Sequence, residues 1–139
     1  MNVLFVCIKN ASRSPMAEAL LKMSAKRGVE VCSAGIKPGK EVNEQAVKAM
    51  REIGCDLSDH ECRHISNFSD ITFDYVAKMD VPDLGDMVTA KWIADWDIPD
   101  PAQGGIVEYR KIRQMIADKI RAELPHLLAR PAKRSASGG

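Results

Sequence analysis

Cys7 and Arg13 stand on either side of a five-residue loop, Ile8-Lys9-Asn10-Ala11-Ser12. Val3 to Val6 before it is a short apolar run, and Ser14-Pro15 after it reads as a helix start, with the Ser14 hydroxyl at the cap, Pro15 at the first helical position and Glu18 in the first turn. A thiol where a strand stops and a guanidinium where a helix begins suit one chemistry, the capture and attack of a tetrahedral oxyanion. Successive backbone N–H groups at a helix N-terminus form an anion-binding concavity, reinforced by the helix dipole. The amides of Ile8, Lys9, Asn10, Ala11, Ser12, Arg13 and Ser14 are therefore the candidate substrate-binding groups. Arg13 can fork two N–H donors onto two oxygens of the same anion. The same positive field favours the thiolate of Cys7, which is the nucleophilic form. The loop lacks the Gly-x-x-x-x-Gly-Lys-Ser/Thr pattern, which argues against a nucleoside triphosphate.

A thiolate that displaces an alcohol or phenol from phosphorus needs an acid to protonate the leaving oxygen, and histidines and carboxylates are the candidates. His60, Cys62 and His64 lie close together, but His-x-Cys-x-His is not a standard zinc spacing and no second cluster accompanies it, so no metal is expected. The late segment from Asp95 to Pro101 is turn-rich and holds Asp95, Asp97 and Asp100.

The elements that must position these groups alternate. Val3–Val6 is uninterrupted by polar residues, as in a strand buried on both faces. Residues 16–26 carry an apolar stripe at Met16, Ala17, Leu20 and Met23, and Gly28 ends that helix. Val29 to Ala34 reads as a strand with Cys32 in the core, followed by a turn at Gly35 and Pro38-Gly39. Asn43 caps a second helix with Ala46, Val47, Met50 and Ile53 on its apolar side and Gly54 at its C-terminal end. Asn10 tolerates the left-handed conformation that a tight loop requires. Residues 56–69 form a polar loop with a short helix, Phe73 to Lys78 a strand, Val81 to Met87 a short helix and Trp92 to Ala94 a last strand. From about Gly105, Tyr109, Ile112, Ile116 and Ile120 recur at helical spacing, and Pro125 kinks or restarts the chain. The expected fold is α/β: one domain over residues 1–130, with a central parallel four-stranded sheet and helices on both faces, followed by a disordered tail at 131–139. The thiol loop then lies at the carboxyl end of the first strand, where such sheets bind ligands.

Composition excludes several classes. With 139 residues the chain supports a single core without staples, and 20 basic against 19 acidic residues give a net charge of +1, so neither nucleic acid nor a membrane surface is an expected partner. No apolar run approaches the ~18 residues needed to span a bilayer, which points to a cytoplasmic domain. The cysteines at 7, 32, 55 and 62 show no paired metal spacing and read as reduced thiols.

Val6-Cys7-Ile8-Lys9-Asn10-Ala11-Ser12-Arg13-Ser14-Pro15-Met16-Ala17-Glu18 resembles the signature of the low-molecular-weight protein tyrosine phosphatase superfamily, which also contains the thioredoxin-coupled arsenate reductases. The likeness continues through Ser33-Ala34-Gly35, Phe73-Asp74-Tyr75-Val76 with Met79-Asp80, and Asp100-Pro101, and so covers Met1 to about Leu128. The resemblance implies that Cys7 and Arg13 are catalytic, that Ser14 stabilises the thiolate, that Asn10 and Ser33 support the loop, and that Asp100 is the general acid, with Asp97 and then Asp95 as competitors. It implies no cofactor.

Arsenate is nearly isosteric with phosphate, so the loop itself does not separate the two enzymes. Thioredoxin-coupled reductases carry two further cysteines after the strand matched by Phe73–Lys78, and Met79–Met87 has none. The turn Ser33–Pro38 and the stretch Val42–Val47 nevertheless look closer to the reductases. The phosphatases usually follow Asp-Pro with aromatic residues, where this chain has Ala102-Gln103. The expected activity is hydrolysis of a phosphorylated protein or small phosphomonoester through a cysteinyl-phosphate. The alternative is arsenate reduction with an external thiol donor such as thioredoxin or glutaredoxin. A second alternative is a non-catalytic phosphate-binding module.

Overall fold

The computed structural model describes residues 1–101 and 103–130; Ala102 and the expected tail at 131–139 lie outside the described residues. The chain runs β1 (Asn2–Cys7), α1 (Arg13–Ser24), β2 (Glu30–Gly35), α2 (Glu44–Arg51), β3 (Thr72–Phe73), β4 (Tyr75–Lys78), β5 (Thr89–Ala90), β6 (Ile93–Asp95) and α3 (Ile106–Glu123), with 3₁₀ turns at Ile65–Phe68, Gly85–Met87 and Pro125–Leu127. Four strands form a parallel sheet in the order β2-β1-β4-β6. This is the α/β single domain that the alternation of elements predicts.

β1 is central because both of its faces are apolar. Val3, Phe5 and Cys7 point into a core built with Met16 and Leu21 of α1, Met50 of α2, and Tyr109, Ile112, Ile116 and Ile120 of α3. Leu4 and Val6 point the other way, onto Ile65, Phe73, Val81, Leu84 and Val88. The two faces are covered unequally: all three α-helices contribute to the first core, whereas 3₁₀ turns and the two-stranded β3–β5 ladder close the second. Phe5 meets Trp96 edge-on, with ring centroids 5.4 Å apart, and that contact fixes the segment after β6 against the central strand. Among the described residues no helix is long and apolar enough to cross a membrane.

Several boundaries differ from the sequence reading. The strand expected over 73–78 breaks at Asp74, whose amide donates to Asn2 O and whose carboxylate accepts from Asn2 N, so Phe73 leaves the main sheet and pairs with Ala90. In α1, Leu21 is fully buried while Met23 is 53% exposed, because α1 packs into the crevice between β1, β2 and α3 rather than on one flat stripe. Cys32 is half-buried at the margin of the second core rather than inside it. Gly35 is the last residue of β2, and its lack of a side chain permits a close approach rather than a turn: a Cβ there would lie 2.7 Å from Ile8 O. Asn43 and Gly54 behave as expected. Asn43 Oδ1 accepts from the amides of Gln45 and Ala46, and Gly54 takes a positive φ of 83° just beyond α2.

α2 docks on α3 through a charge cluster. Arg110 donates through Nε and Nη2 to both Glu52 oxygens, and Arg113 Nη1 donates to Glu52 and to Ala49 O. Hydrogen bonds from Arg110, then from Arg113, hold the Glu52 carboxyl down from 4.5 to about 2. A depressed folded-state value means that the stabilisation is complete above the ordinary value and disappears as pH falls through the depressed one. Glu52→Gln is therefore expected to melt below the wild type at neutral pH, and the gap to close between pH 4.5 and about 2. Thermal melts at four or five pH values check this; a gap independent of pH would mean that the side-chain packing, not the charge, matters.

Candidate active site

The loop between β1 and α1 is shaped by where its carbonyls go. Ile8 O, Lys9 O and Ala11 O accept from the amides of Lys37, Gly39 and Asn43, at 2.8, 2.9 and 2.7 Å. In a trans peptide the C=O and the following N–H point in opposite directions. Turning these three carbonyls outward therefore turns the amides of Lys9, Asn10 and Ser12 inward, over Cys7. Asn10 makes the bend with φ 53°, the left-handed conformation anticipated from its residue type.

Asn10 is also the loop's anchor, fully buried beneath it. Its Nδ2 donates to Ser14 Oγ (2.8 Å) and to Ser33 Oγ (2.9 Å). Its Oδ1 accepts from Arg63 N (2.9 Å) and faces His60 Nε2 at 3.0 Å. An amide oxygen only accepts, so the His60 ring carries its proton on Nε2. Burial, outweighing the opposing pull of Glu18 and of the bond to Asn10, lowers His60 below its ordinary value and favours the neutral ring. Ser33 in turn donates to Glu18. The sequence reading found Asn10, Ser14 and Ser33 as the support and missed His60 and Glu18. His60 stood only among possible metal ligands, and Glu18 was placed in the first helical turn.

Ser14 is corrected in one respect. α1 begins at Arg13 with Ser12 at the cap position, so Ser14 is inside the helix and does not cap it. Its hydroxyl accepts from Asn10 and lies 2.9 Å from Cys7 Sγ and 3.4 Å from Ala34 O, so its own proton faces the sulfur or that carbonyl. Ser12 makes no side-chain capping bond, whereas α2 is closed by Asn43. The positive end of α1 therefore opens on the cleft, as an anion site requires.

Arg13 is buried, with Nη1 donating to Ile98 O at 2.9 Å. That bond pins one edge of the guanidinium to the segment after β6. The edge formed by Nε and Nη2 remains: Nε is buried with no partner among the described residues, and Nη2 lies 3.7 Å from Asp100 Oδ2. A buried guanidinium N–H without an acceptor costs about 1–3 kcal/mol, so its retention points to a ligand. Asp80, with φ 61° and an exposed side chain, lies 3.9 Å from Nη1 on the outer side.

Cys7, Lys9, Ser12, Arg13 and Asp100 line one cleft of about 420 Å³, with Tyr109 in its wall. The two competitors for the acid lie elsewhere: Asp97 and Asp95 border a separate depression beside Trp96 and Pro99, and Asp95 pairs with Lys78 at 3.3 Å. Each of the other three cysteines has its thiol pushed up, first by burial. Only for Cys62 does the charge of Cys7 come next; for Cys32 it is Glu18, and for Cys55 Asp56. Cys62 is thus within electrostatic reach of the loop, where the hydrogen bonds of His60 and Arg63 to Asn10 hold its segment.

An outward-turned loop, an open helix end and a pinned guanidinium close to a carboxylate surround Cys7 at the end of a central strand of the parallel sheet and make this cleft the candidate oxyanion site. The chain belongs to the low molecular weight phosphotyrosine protein phosphatase family, which it matches over residues 2–134. Its relatives carry two kinds of name. It is 28% identical to a glutaredoxin arsenate reductase of Synechocystis, over 85% of this chain and 92% of that one. It is 30% identical to EpsP of Ralstonia nicotianae, named a probable low molecular weight protein-tyrosine-phosphatase, over 91% and 96%. Among solved structures, an arsenate reductase in its phosphate-binding state superposes with a TM-score of 0.77 at 28% identity, covering 91% of this chain and 98% of that one.

Proposed function

We propose that this protein hydrolyses phosphomonoesters through a cysteinyl-phosphate. The observation that carries the reading is the meeting, in one cleft, of Cys7, the buried Arg13 guanidinium, whose Nε has no partner among the described residues, and the Asp100 carboxylate. Cys7 Sγ attacks phosphorus in line, forming the S–P bond as the P–O bond to the leaving group breaks. The inward amides and Arg13 hold the three equatorial oxygens, and Asp100 gives its proton to the departing oxygen. Asp100 then takes a proton from water, which attacks phosphorus and releases orthophosphate and the thiolate. A module that only bound phosphate would need neither the thiol nor the acid. The substrate is a phosphorylated protein or a small phosphomonoester.

Asp100 gives the test. An acid matters in proportion to how badly the leaving group needs a proton. Asp100→Asn is expected to slow phenyl phosphate by about 10²-fold or more, and p-nitrophenyl phosphate much less in the first step. With the second step lacking its base, p-nitrophenolate is released in a burst followed by slow turnover. An equal loss for both leaving groups would show that Asp100 is not the acid.

Arsenate reduction is the second reading, favoured by the name of the Synechocystis relative and by the position of Cys62. Cys7 would displace one oxygen of arsenate, the S–As bond forming as an As–O bond breaks and water leaves, and a second thiol would attack the Cys7 sulfur. The new S–S bond forms as S–As breaks, the electron pair passing to arsenic to give arsenite. An external donor such as thioredoxin or glutaredoxin supplies or regenerates that thiol. Non-reducing mass spectrometry after arsenate treatment is expected to find no Cys7 disulfide to Cys32 or Cys55. A Cys7–Cys62 disulfide together with arsenite release would favour the reductase over the phosphatase.

A further inference from the structure

Tyr109 has a hydroxyl that the fold does not use. The side chain is fully buried in the first turns of α3, yet it lines the cleft that holds Cys7, Arg13 and Asp100. Its Oη is buried without a hydrogen-bond partner among the described residues; the Ser12 and Asn43 side chains stand near it, but neither meets hydrogen-bond geometry. A phenylalanine ring would fill the same space without burying an unpaired polar atom, so packing alone does not account for the hydroxyl. Burial, and then the charge of Asp100, raises the phenol above its ordinary value, whereas Ser12, Arg13 and Asn43 pull it down. The turn after Asp100 brings the two residues to the same wall: Gly104 N donates to Pro101 O at 2.7 Å, and a Cβ on Gly104 would lie 2.7 Å from Glu108 Cβ, so the turn presses against the start of α3.

We propose that Tyr109 is a positioning residue for Asp100: once an oxyanion occupies the cleft, the Tyr109 hydroxyl, which has no hydrogen-bond partner among the described residues here, donates to one carboxyl oxygen so that the other is presented to the leaving group above Cys7. The inference rests on the reading of Asp100 as the acid.

The experiment has one arm that needs no activity. The chain has two tyrosines, so 13Cζ-tyrosine NMR at neutral pH with saturating inorganic phosphate gives two signals, assigned with Tyr75→Phe. Asp100→Asn is expected to move the Tyr109 signal and leave that of Tyr75 in place. In the kinetic arm, Tyr109→Phe is expected to melt no lower than the wild type and to keep the inhibition constant for inorganic phosphate. Its kcat for phenyl phosphate is expected to fall by about 3- to 10-fold, the range that one hydrogen bond supplies, with a smaller fall for p-nitrophenyl phosphate. In the Asp100→Asn background the same change is expected to cost nothing further.

A Tyr109 signal indifferent to Asp100→Asn overturns the inference, whatever the enzyme does. So does a kinetic loss that is additive with Asp100→Asn or equal for both leaving groups. If the signal moves but the wild type hydrolyses neither ester, the phosphatase reading fails while the Tyr109–Asp100 contact is supported.

Discussion

Arg13→Lys is expected to lower kcat/KM for phosphomonoesters on the order of 10²-fold or more, nearly as much as Arg13→Ala. The reason is geometric. One end of the guanidinium is already committed to Ile98 O at 2.9 Å, and the function falls on the opposite edge, where Nε is buried and unpartnered. A lysine ammonium is a single point with no second edge, so it can keep the bond to the carbonyl or reach the anion, but not as a fork. It would also have to lie in a pocket where the Arg13 side chain is only 3% exposed. Steady-state kinetics with p-nitrophenyl phosphate, together with a melt to show that the variant is folded, checks this. Near-normal kcat/KM in Arg13→Lys would remove the cradle from the mechanism.

Cys7→Ser is expected to reduce turnover by about 10⁴-fold or more while retaining phosphate binding. A serine hydroxyl is a far weaker nucleophile than the sulfur it replaces, so the proposed attack on phosphorus is lost. The binding groups are not: the amides of Lys9, Asn10 and Ser12 are held inward by the carbonyl bonds to Lys37, Gly39 and Asn43, and none of these involves the sulfur. With those amides in place, phosphate is expected to bind about as tightly as in the wild type, as measured by calorimetry. Loss of binding would mean that the Cys7–Ser14 contact at 2.9 Å holds the loop together, and that the site depends on the sulfur for its shape as well as its chemistry.

The centre of the candidate site was legible in the sequence because it is local. Cys7, the loop and Arg13 are neighbours in the chain, and a buried strand followed by a helix start confines them to a few ångströms whatever the rest of the fold does. Residue types also carry conformational information: Asn10 signalled the left-handed bend it makes, Asn43 the cap it forms, and Tyr109, Ile112, Ile116 and Ile120 the face that α3 buries. The parallel sheet followed from the alternation of strand and helix patterns. Periodicity did not show where a strand breaks, as at Asp74, because the break depends on a pairing with Asn2 that is 72 positions away.

Only the tertiary structure decided which distant groups complete the site. Asp95, Asp97 and Asp100 are equivalent as residues in a turn-rich segment; the edge-on packing of Trp96 against Phe5 and the bond from Arg13 to Ile98 O fix that segment so that Asp100 enters the Cys7 cleft while Asp97 and Asp95 do not. His60 is 50 positions from Asn10 and Arg63 is 53, and no local pattern announces a loop buttress supplied at that separation. The hydroxyl of Tyr109 is the same case in a sharper form. Helical spacing places its ring in the core, and three-dimensional packing alone leaves its oxygen without a hydrogen-bond partner among the described residues, at the wall of the cleft.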